Sequence, residues 1–332
     1  MKRFLQWLLF LIILVACLYY GYSGYRSLQM PGRSYVGSVQ PLDIFQSRLR
    51  DHLKEHVTVL AGQIGERNLD HYQRLEAAAA YIRHDLEQQE YKVTEADYDV
   101  QGKTVRNLYT YVDGTDMSKG ILVIGAHYDS VSLSPGANDN ASGVATVLEL
   151  ARILKNESPN QGIMLAFFSN EEPPYFQTGE MGSLKLAREF QWQKLPITAM
   201  ISVETIGYYS DQPGSQKYPS AISSLYPNTG NFIGFVSDLH SRSLLHRAIA
   251  EFRSSTHFPS EGANLPSSIK GVGWSDHWSF WQIGVPAIMV TDTAPFRYPH
   301  YHQPSDTPDK LDYDKMARVV VGLKHVVMKL AE

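Results

Sequence analysis

Cysteine is almost missing from this chain of 332 residues: Cys17 is the only one, and it lies in an apolar segment at the N-terminus. The remainder can therefore form no disulfide, offer no thiolate nucleophile and build no cysteine-ligated structural zinc site. Its stability must come from packing. A hydrophobic share of 43% is ample for that, so disorder is not the expectation. An excess of positive charge is missing too. With 30 Lys and Arg against 34 Asp and Glu, the net charge of -4 gives no electrostatic footprint for nucleic acid, and that class of partner is set aside. Internal repeats and low-complexity tracts are also absent. The length allows one large α/β domain or two small ones.

Residues 1–22 read as a membrane or export element. After Lys2 and Arg3, the run from Phe4 to Tyr22 holds one polar side chain, Gln6, other than hydroxyls, and has about the length that spans a hydrocarbon core. One reading is an uncleaved signal anchor; Arg26 and Arg33 downstream make its charge bias weak. The other takes Leu14-Val15-Ala16-Cys17 as a lipoprotein cleavage box with Cys17 lipidated, although Leu18-Tyr19-Tyr20 is unusually apolar for that role. A buried helix of a soluble domain is a third. Both membrane readings place the rest of the chain in the cell envelope, periplasmic or extracellular. Residues 23–43, with Gly24, Pro31, Gly32, Gly37 and Pro41 among serines, suit neither helix nor strand and are expected to be a flexible tether before a domain at 44–332.

Within that domain, Phe45, Leu49, Leu53, Val57 and Leu60 recur at helical spacing, and a second helix is predicted over about 70–89. Residues 91–100 and 104–112 read as a hairpin. Then apolar runs at 121–124, 163–168 and 199–203 alternate with helical stretches at 142–154 and 182–190, a pattern that predicts a mainly parallel sheet covered on both faces. Residues 286–291 read as a further strand and 315–330 as a closing helix. Two Gly/Pro/Ser-rich stretches, about 208–230 and 254–273, read as functional loops.

Chemistry gathers at the ends of these runs. His127, Asp139, Glu172, Glu204 and His302 occur in that order, four of them just beyond an apolar run, where α/β sheets place their sites. Their oxygen and nitrogen donors suit catalytic ions with open positions. Asp129 is placed to orient His127 through its other ring nitrogen. Glu171 adjoins Glu172, and a carboxylate beside a metal site is what a hydrolase needs as general base. Each signal alone has a plainer reading: His127 as an exposed loop histidine, Asp139 as a helix cap, the two glutamates as a solvated pair. Their joint order is what favours a metal site. A separate match, His52-Leu53-Lys54-Glu55-His56, fits the H-x-x-E-H zinc pattern but has no downstream ligand motif and lies on the first amphipathic helix.

With these residues assembled, the chain resembles the co-catalytic zinc exopeptidases of metallopeptidase family twenty-eight, the bacterial secreted aminopeptidases. The match covers about residues 45–332 and is closest at 125–130, 136–143, 168–174, 275–280 and 301–307. The resemblance implies a three-layer α/β/α sandwich with a mixed, mainly parallel sheet, two zinc ions and a peptide substrate. It implies that Asp139 bridges the ions, that His127 and Glu204 complete one site, and that Glu172 and His302 complete the other. Glu171 is then the general base and acid, and Tyr301 stands where some relatives stabilise the oxyanion. Glu204 departs from the usual aspartate. The stretch 173–180 is longer than in compact relatives, which alters the pocket wall. Two other functions occur on this fold: a glutaminyl-cyclase-like acyltransferase with one zinc, and a non-catalytic receptor-like ectodomain. The full ligand set speaks against both. Oligomeric state and preferred N-terminal residue are not legible.

Overall fold

The computed structural model describes residues 2–332, and in the first helix the side chains of residues 3–15, 18 and 21. Helices α1 (Lys2–Leu28), α2 (Ile44–Val57) and α3 (Tyr72–Gln88) precede a hairpin of β1 (Thr94–Val100) and β2 (Lys103–Val112). There follow β3 (Ile121–His127), α4 (Ser142–Leu154), β4 (Gly162–Phe168), α5 (Gly182–Trp192) and β5 (Ile197–Glu204). The second half holds β6 (Ile233–Ser237), α6 (Arg242–Ser255), β7 (Ser260–Asn264), α7 (His277–Trp281), β8 (Ala287–Thr291), α8 (Ala294–Arg297) and α9 (Tyr313–Leu330).

The strands form one sheet in the order β1-β2-β4-β3-β5-β8-β6-β7. Its centre is parallel, β4, β3, β5 and β8 running together, while β2 joins β4 and β6 joins β8 antiparallel. Side chains alternate across a strand, so the unbroken apolar runs of β3 and β4 feed two cores. Leu122, Ile124, Ile163, Leu165 and Phe167 enter the larger one, with Leu49 and Leu53 of α2, Leu148 of α4, Phe252 of α6 and Val320 of α9. Val123, Met164 and Phe168 enter the smaller one, with Leu186 and Phe190 of α5 and Phe280 of α7. The result is the expected α/β/α sandwich with a mixed sheet.

Local signals set the element ends. Asp43 caps α2 through a reciprocal pair, Gln46 N to Asp43 Oδ1 at 2.7 Å and Asp43 N to Gln46 Oε1 at 3.2 Å. Gln101 and Gly102 both hold positive φ, 54° and 76°, the backbone twist a two-residue hairpin turn requires.

Two expectations need correction. Residues 29–43, expected as a flexible tether, lie against the domain: Arg253 Nη1 donates to Pro31 O at 3.0 Å, Ser260 N donates to Ser34 Oγ at 2.9 Å, and Arg318 donates to Gln40 O. Residues 23–28 continue α1. The expected loop at 254–273 contains the edge strand β7, whose sequence Ser-Glu-Gly-Ala-Asn carries no β-branched or aromatic residue to announce it. As for an anchor, among the described residues no helix is long and apolar enough to cross a membrane. The lipidation alternative at Cys17 concerns a side chain outside those described.

Candidate metal centre

The sequence-predicted ligands converge at the carboxyl ends of the central parallel strands. His127 is the last residue of β3 and Glu204 the last of β5, while Glu171 and Glu172 follow β4 after a single turn at Asn170, whose φ is 55°. Asp139 stands in the turn that enters α4, and His302 in the loop beyond β8, also at positive φ (57°). Two glycines make the Asp139 turn possible. A Cβ at Gly136 would stand 2.4 Å from Asp139 O, and one at Gly143 would stand 2.4 Å from both Asn140 Oδ1 and Val203 O.

The side chains meet as two groups that share one residue. His127, Asp139 and Glu204 present donor atoms within 4.8 Å of one another, and so do Asp139, Glu172 and His302. His127 Nε2 lies 3.3 Å from Asp139 Oδ1 and 3.3 Å from Glu204 Oε2. His302 Nε2 lies 3.1 Å from Asp139 Oδ2 and 3.2 Å from Glu172 Oε2. Asp139 thus turns one oxygen toward each group. Despite this proximity, both nitrogens of His127, Asp139 Oδ1 and His302 Nε2 are buried without a hydrogen-bond partner. Buried polar atoms in native proteins are normally paired, so donors that converge without bonding one another fit a cation between them. The imidazole and carboxylate set suits zinc in a catalytic rather than a structural site.

Electrostatics point the same way. Burial pushes Glu172 up to about 7, with Asp139 adding to the rise. Burial also raises Glu204, and it lifts Glu171 well above the usual carboxylate range, with Glu204 and Glu172 contributing while His127 opposes. Asp139 is the exception: against the effect of burial, His127 and His302 hold it well below its ordinary value. His302 rises to about 10 although burial pulls it down, because Asp139 and Glu172 face it. Four buried carboxylates against two imidazoles leave an excess of negative charge that a divalent cation neutralises.

Around the donors stands a frame that the sequence motifs only partly announced. Asp129 Oδ1 lies 3.4 Å from His127 Nδ1, as expected of an orienting group. Asp129 also accepts from the backbone N–H groups of Glu171 (3.2 Å, at Oδ1) and Glu172 (3.1 Å, at Oδ2), so the carboxylate that faces the histidine fixes the glutamate turn. Asp306 accepts from Asn138 N at 2.8 Å, Asp139 N at 3.1 Å and the Tyr298 hydroxyl at 2.8 Å. Ser275 Oγ donates to Glu204 Oε2 at 2.7 Å, aiming that carboxylate. Asp306 and Ser275 lie inside motif blocks but carry no spacing that reveals their partners. Tyr301 stacks on His302 with ring centroids 3.9 Å apart. The H-x-x-E-H histidines lie elsewhere: His56 is buried against Tyr81 Oη at 2.7 Å, and His52 and His56 approach Glu149 at 3.3 and 3.4 Å. They bind helices together and take no part in the cluster.

Comparison with known proteins agrees with this geometry. The family profile of Peptidase family M28 matches residues 107–327. The chain belongs to peptidase family M28. As a member it is a zinc metallopeptidase, a hydrolase. The uncharacterized protein YfbL of Escherichia coli K12 is 39% identical over 285 residues, covering 82% of this chain and 86% of that protein. A probable zinc metalloprotease of Pyrenophora tritici-repentis is 29% identical over 246 residues, 65% of this chain. The chain spans 49% of that longer relative. Among solved structures, the zinc aminopeptidase BSAP of Bacillus subtilis superposes with a TM-score of 0.68 at 14% identity, over 85% of this chain and 95% of that one. A glutaminyl cyclase of Fimbriiglobus ruber superposes with a TM-score of 0.63 at 20% identity, over 92% and 100%. At these identities both describe the M28 fold and leave the reaction open.

Proposed function

We propose that this M28 member is a dinuclear zinc aminopeptidase that releases N-terminal residues from peptides. The observation that carries the reading is Asp139, whose two carboxylate oxygens face two separate ligand groups. His127 and Glu204 would hold one zinc with Asp139, and Glu172 and His302 the other. Bound zinc supplies Lewis acidity toward a carbonyl and lowers the pKa of water.

The chain's own residues account for the rest. Glu171 belongs to neither ligand group, yet its Oε2 lies 3.9 Å from His127 Nε2, inside the cluster. It takes the proton from the attacking water and returns it to the leaving amine. Tyr301, its phenol pushed well above the ordinary value by burial and by Asp139, stays protonated and donates to the developing oxyanion. An apolar cavity, open at its mouth and lined by Glu204 and Tyr301 at one end, receives the N-terminal side chain.

The glutaminyl-cyclase alternative shares the fold but needs one ion, and a complete pair of ligand groups favours hydrolysis. Full-length protein, loaded with zinc, is offered aminoacyl p-nitroanilides and an N-terminal glutaminyl peptide while its metal content is measured. Release of free amino acids at two ions per chain is expected. Conversion of the glutaminyl peptide to a pyroglutamyl peptide at one ion per chain would overturn the reading.

Attachment to a membrane, with the domain outside the cytoplasm, belongs to the same proposal. Its support is the row of exposed apolar side chains on α1, among them Phe4, Trp7, Leu9, Phe10 and Ile12. Expressing cells are fractionated and the membranes carbonate-washed; recovery of the chain in the soluble fraction rejects attachment.

A further inference from the structure

The cavity beside the metal cluster ends at a second carboxylate. Strand register pairs Glu204 with Thr291, Thr291 with Gly234 and Gly234 with Glu261, so the four stand in one row across β5, β8, β6 and β7. Paired residues face the same side of a sheet. Gly234 contributes no side chain to the middle of the row, and it lines the cavity. Glu204 and Glu261 both line that cavity, three strand spacings or about 14 Å apart at their Cα positions. Between them the walls are aromatic, with Tyr218, Tyr226, Phe232, Trp274 and Phe296.

Glu261 is half-buried there, and among the described residues no cation stands within ion-pair distance of it. Arg253, whose charge reaches it, is committed elsewhere: Nη2 donates to Ser260 O at 2.7 Å, Nε to Ser260 Oγ at 3.1 Å and Nη1 to Pro31 O at 3.0 Å. Lys270 is exposed at the cavity mouth, its Nζ 5.4 Å from the Trp274 ring centroid. The strap of residues 29–43 reaches the residue beside Glu261, Ser34 Oγ accepting from Ser260 N at 2.9 Å. Burial raises Glu261 above its ordinary value, and Arg253 and Ser34 oppose that rise. Its charge is felt by Tyr218 and Tyr226, whose rings stack 5.6 Å apart. A carboxylate half-withdrawn from water beside aromatic faces is an arrangement that favours a cation arriving with the ligand.

We propose that Glu261 is a specificity-determining residue, and that the cavity takes the side chain of an N-terminal arginine or lysine with its charged tip at Glu261. The orientation of the substrate, α-amino end at the cluster, rests on the aminopeptidase reading. An aliphatic N-terminal residue would fill the aromatic walls yet leave the Glu261 carboxylate unpaired.

The test uses full-length, zinc-loaded protein and two probes of the same shape, L-argininamide and the neutral L-citrullinamide, with binding followed by calorimetry. Wild type should bind argininamide about 10- to 100-fold more tightly, the effect of one half-buried charge pair. In Glu261→Gln that ratio should collapse toward one, with zinc content and melting temperature showing that the variant is folded. Equal binding of the two amides by wild type overturns the proposal whatever the variants do. Turnover of arginyl, lysyl and leucyl p-nitroanilides separates the two readings. Brisk hydrolysis with no preference for the basic residues removes the role of Glu261 and leaves the aminopeptidase standing. Discrimination of argininamide through Glu261 without hydrolysis of any aminoacyl substrate does the reverse.

Discussion

Two adjacent glutamates, alike in sequence, occupy different places in the cluster. Glu172 Oε2 faces His302 within a ligand group, whereas Glu171 belongs to none. Glu171→Gln should therefore keep fold and metal while kcat falls by about two to four orders of magnitude, the usual worth of a general base. Glu172→Gln should lose zinc from one site, with activity partly restored by added zinc. Near-normal turnover by Glu171→Gln would falsify the proposed role. A second expectation concerns protons. Without metal, Glu172 titrates at about 7 and His302 at about 10, so near neutral pH His302 is protonated and Glu172 partly so. Both must deprotonate to bind a cation. Zinc uptake at pH 7 should release protons, and affinity should fall as pH drops. Calorimetry in buffers of different ionisation enthalpy reads the number; no release would mean that these two groups are not ligands. At this scale the donors were legible because each is a chemically distinctive residue at the end of an apolar run. Their supports were not. Ser275 and Asp306 are 71 and 167 residues away from the groups they hold, Glu204 and Asp139, and nothing local marks such a bond.

Elements were legible in proportion to their periodicity. The parallel core, β3, β4 and β5, consists of apolar runs buried on both faces, and α4 and α9 carry long amphipathic patterns; their positions follow from the sequence. The edge strand β7 does not, because five residues without a β-branched or aromatic side chain have no strand preference of their own. It is kept by its neighbours. Strand β6 pairs it on one side, and the strap covers it on the other, with Met30 packed so closely that a Cβ at Gly262 would come within 2.6 Å of its Cγ. The strap therefore belongs to the fold's energetics. Removing residues 1–28 should leave the melting temperature nearly unchanged. Removing residues 1–42, which keeps the Asp43 cap, should lower it, because each hydrogen bond lost from Ser260, Arg253 and Arg318 is worth about 1 kcal/mol. For a domain of this size each kcal/mol corresponds to about 2–4 °C. Equal melting of the two truncations would show the strap to be a passive tether.

Across the whole molecule, the cluster and the core pull in opposite directions. Two apolar layers hold the sandwich together without reference to the site, while Glu171, Glu172, Glu204 and Asp139 place carboxylates where burial disfavours their charge. The order of the ligands was legible in the residues themselves, whereas their convergence on Asp139 was legible only through the resemblance to a known family. Parallel strands bring their carboxyl ends to one edge as a matter of topology, and in the fold Asp139 faces both groups. The conflict between cluster and core also yields a thermodynamic consequence. The core should keep the metal-free chain folded, and zinc, binding the native state alone, should stabilise it by about 2.7 kcal/mol at a free concentration one hundred times the dissociation constant. Chelation should thus lower the melting temperature by about 5–10 °C, reversibly, with the far-ultraviolet circular dichroism spectrum retained. Glu172→Gln, missing one ligand of one group, should respond to zinc with a smaller shift than wild type. If chelated and zinc-loaded protein melt at the same temperature, the buried carboxylates do not form a metal site, and the convergence of His127, Asp139, Glu172, Glu204 and His302 would need another cause.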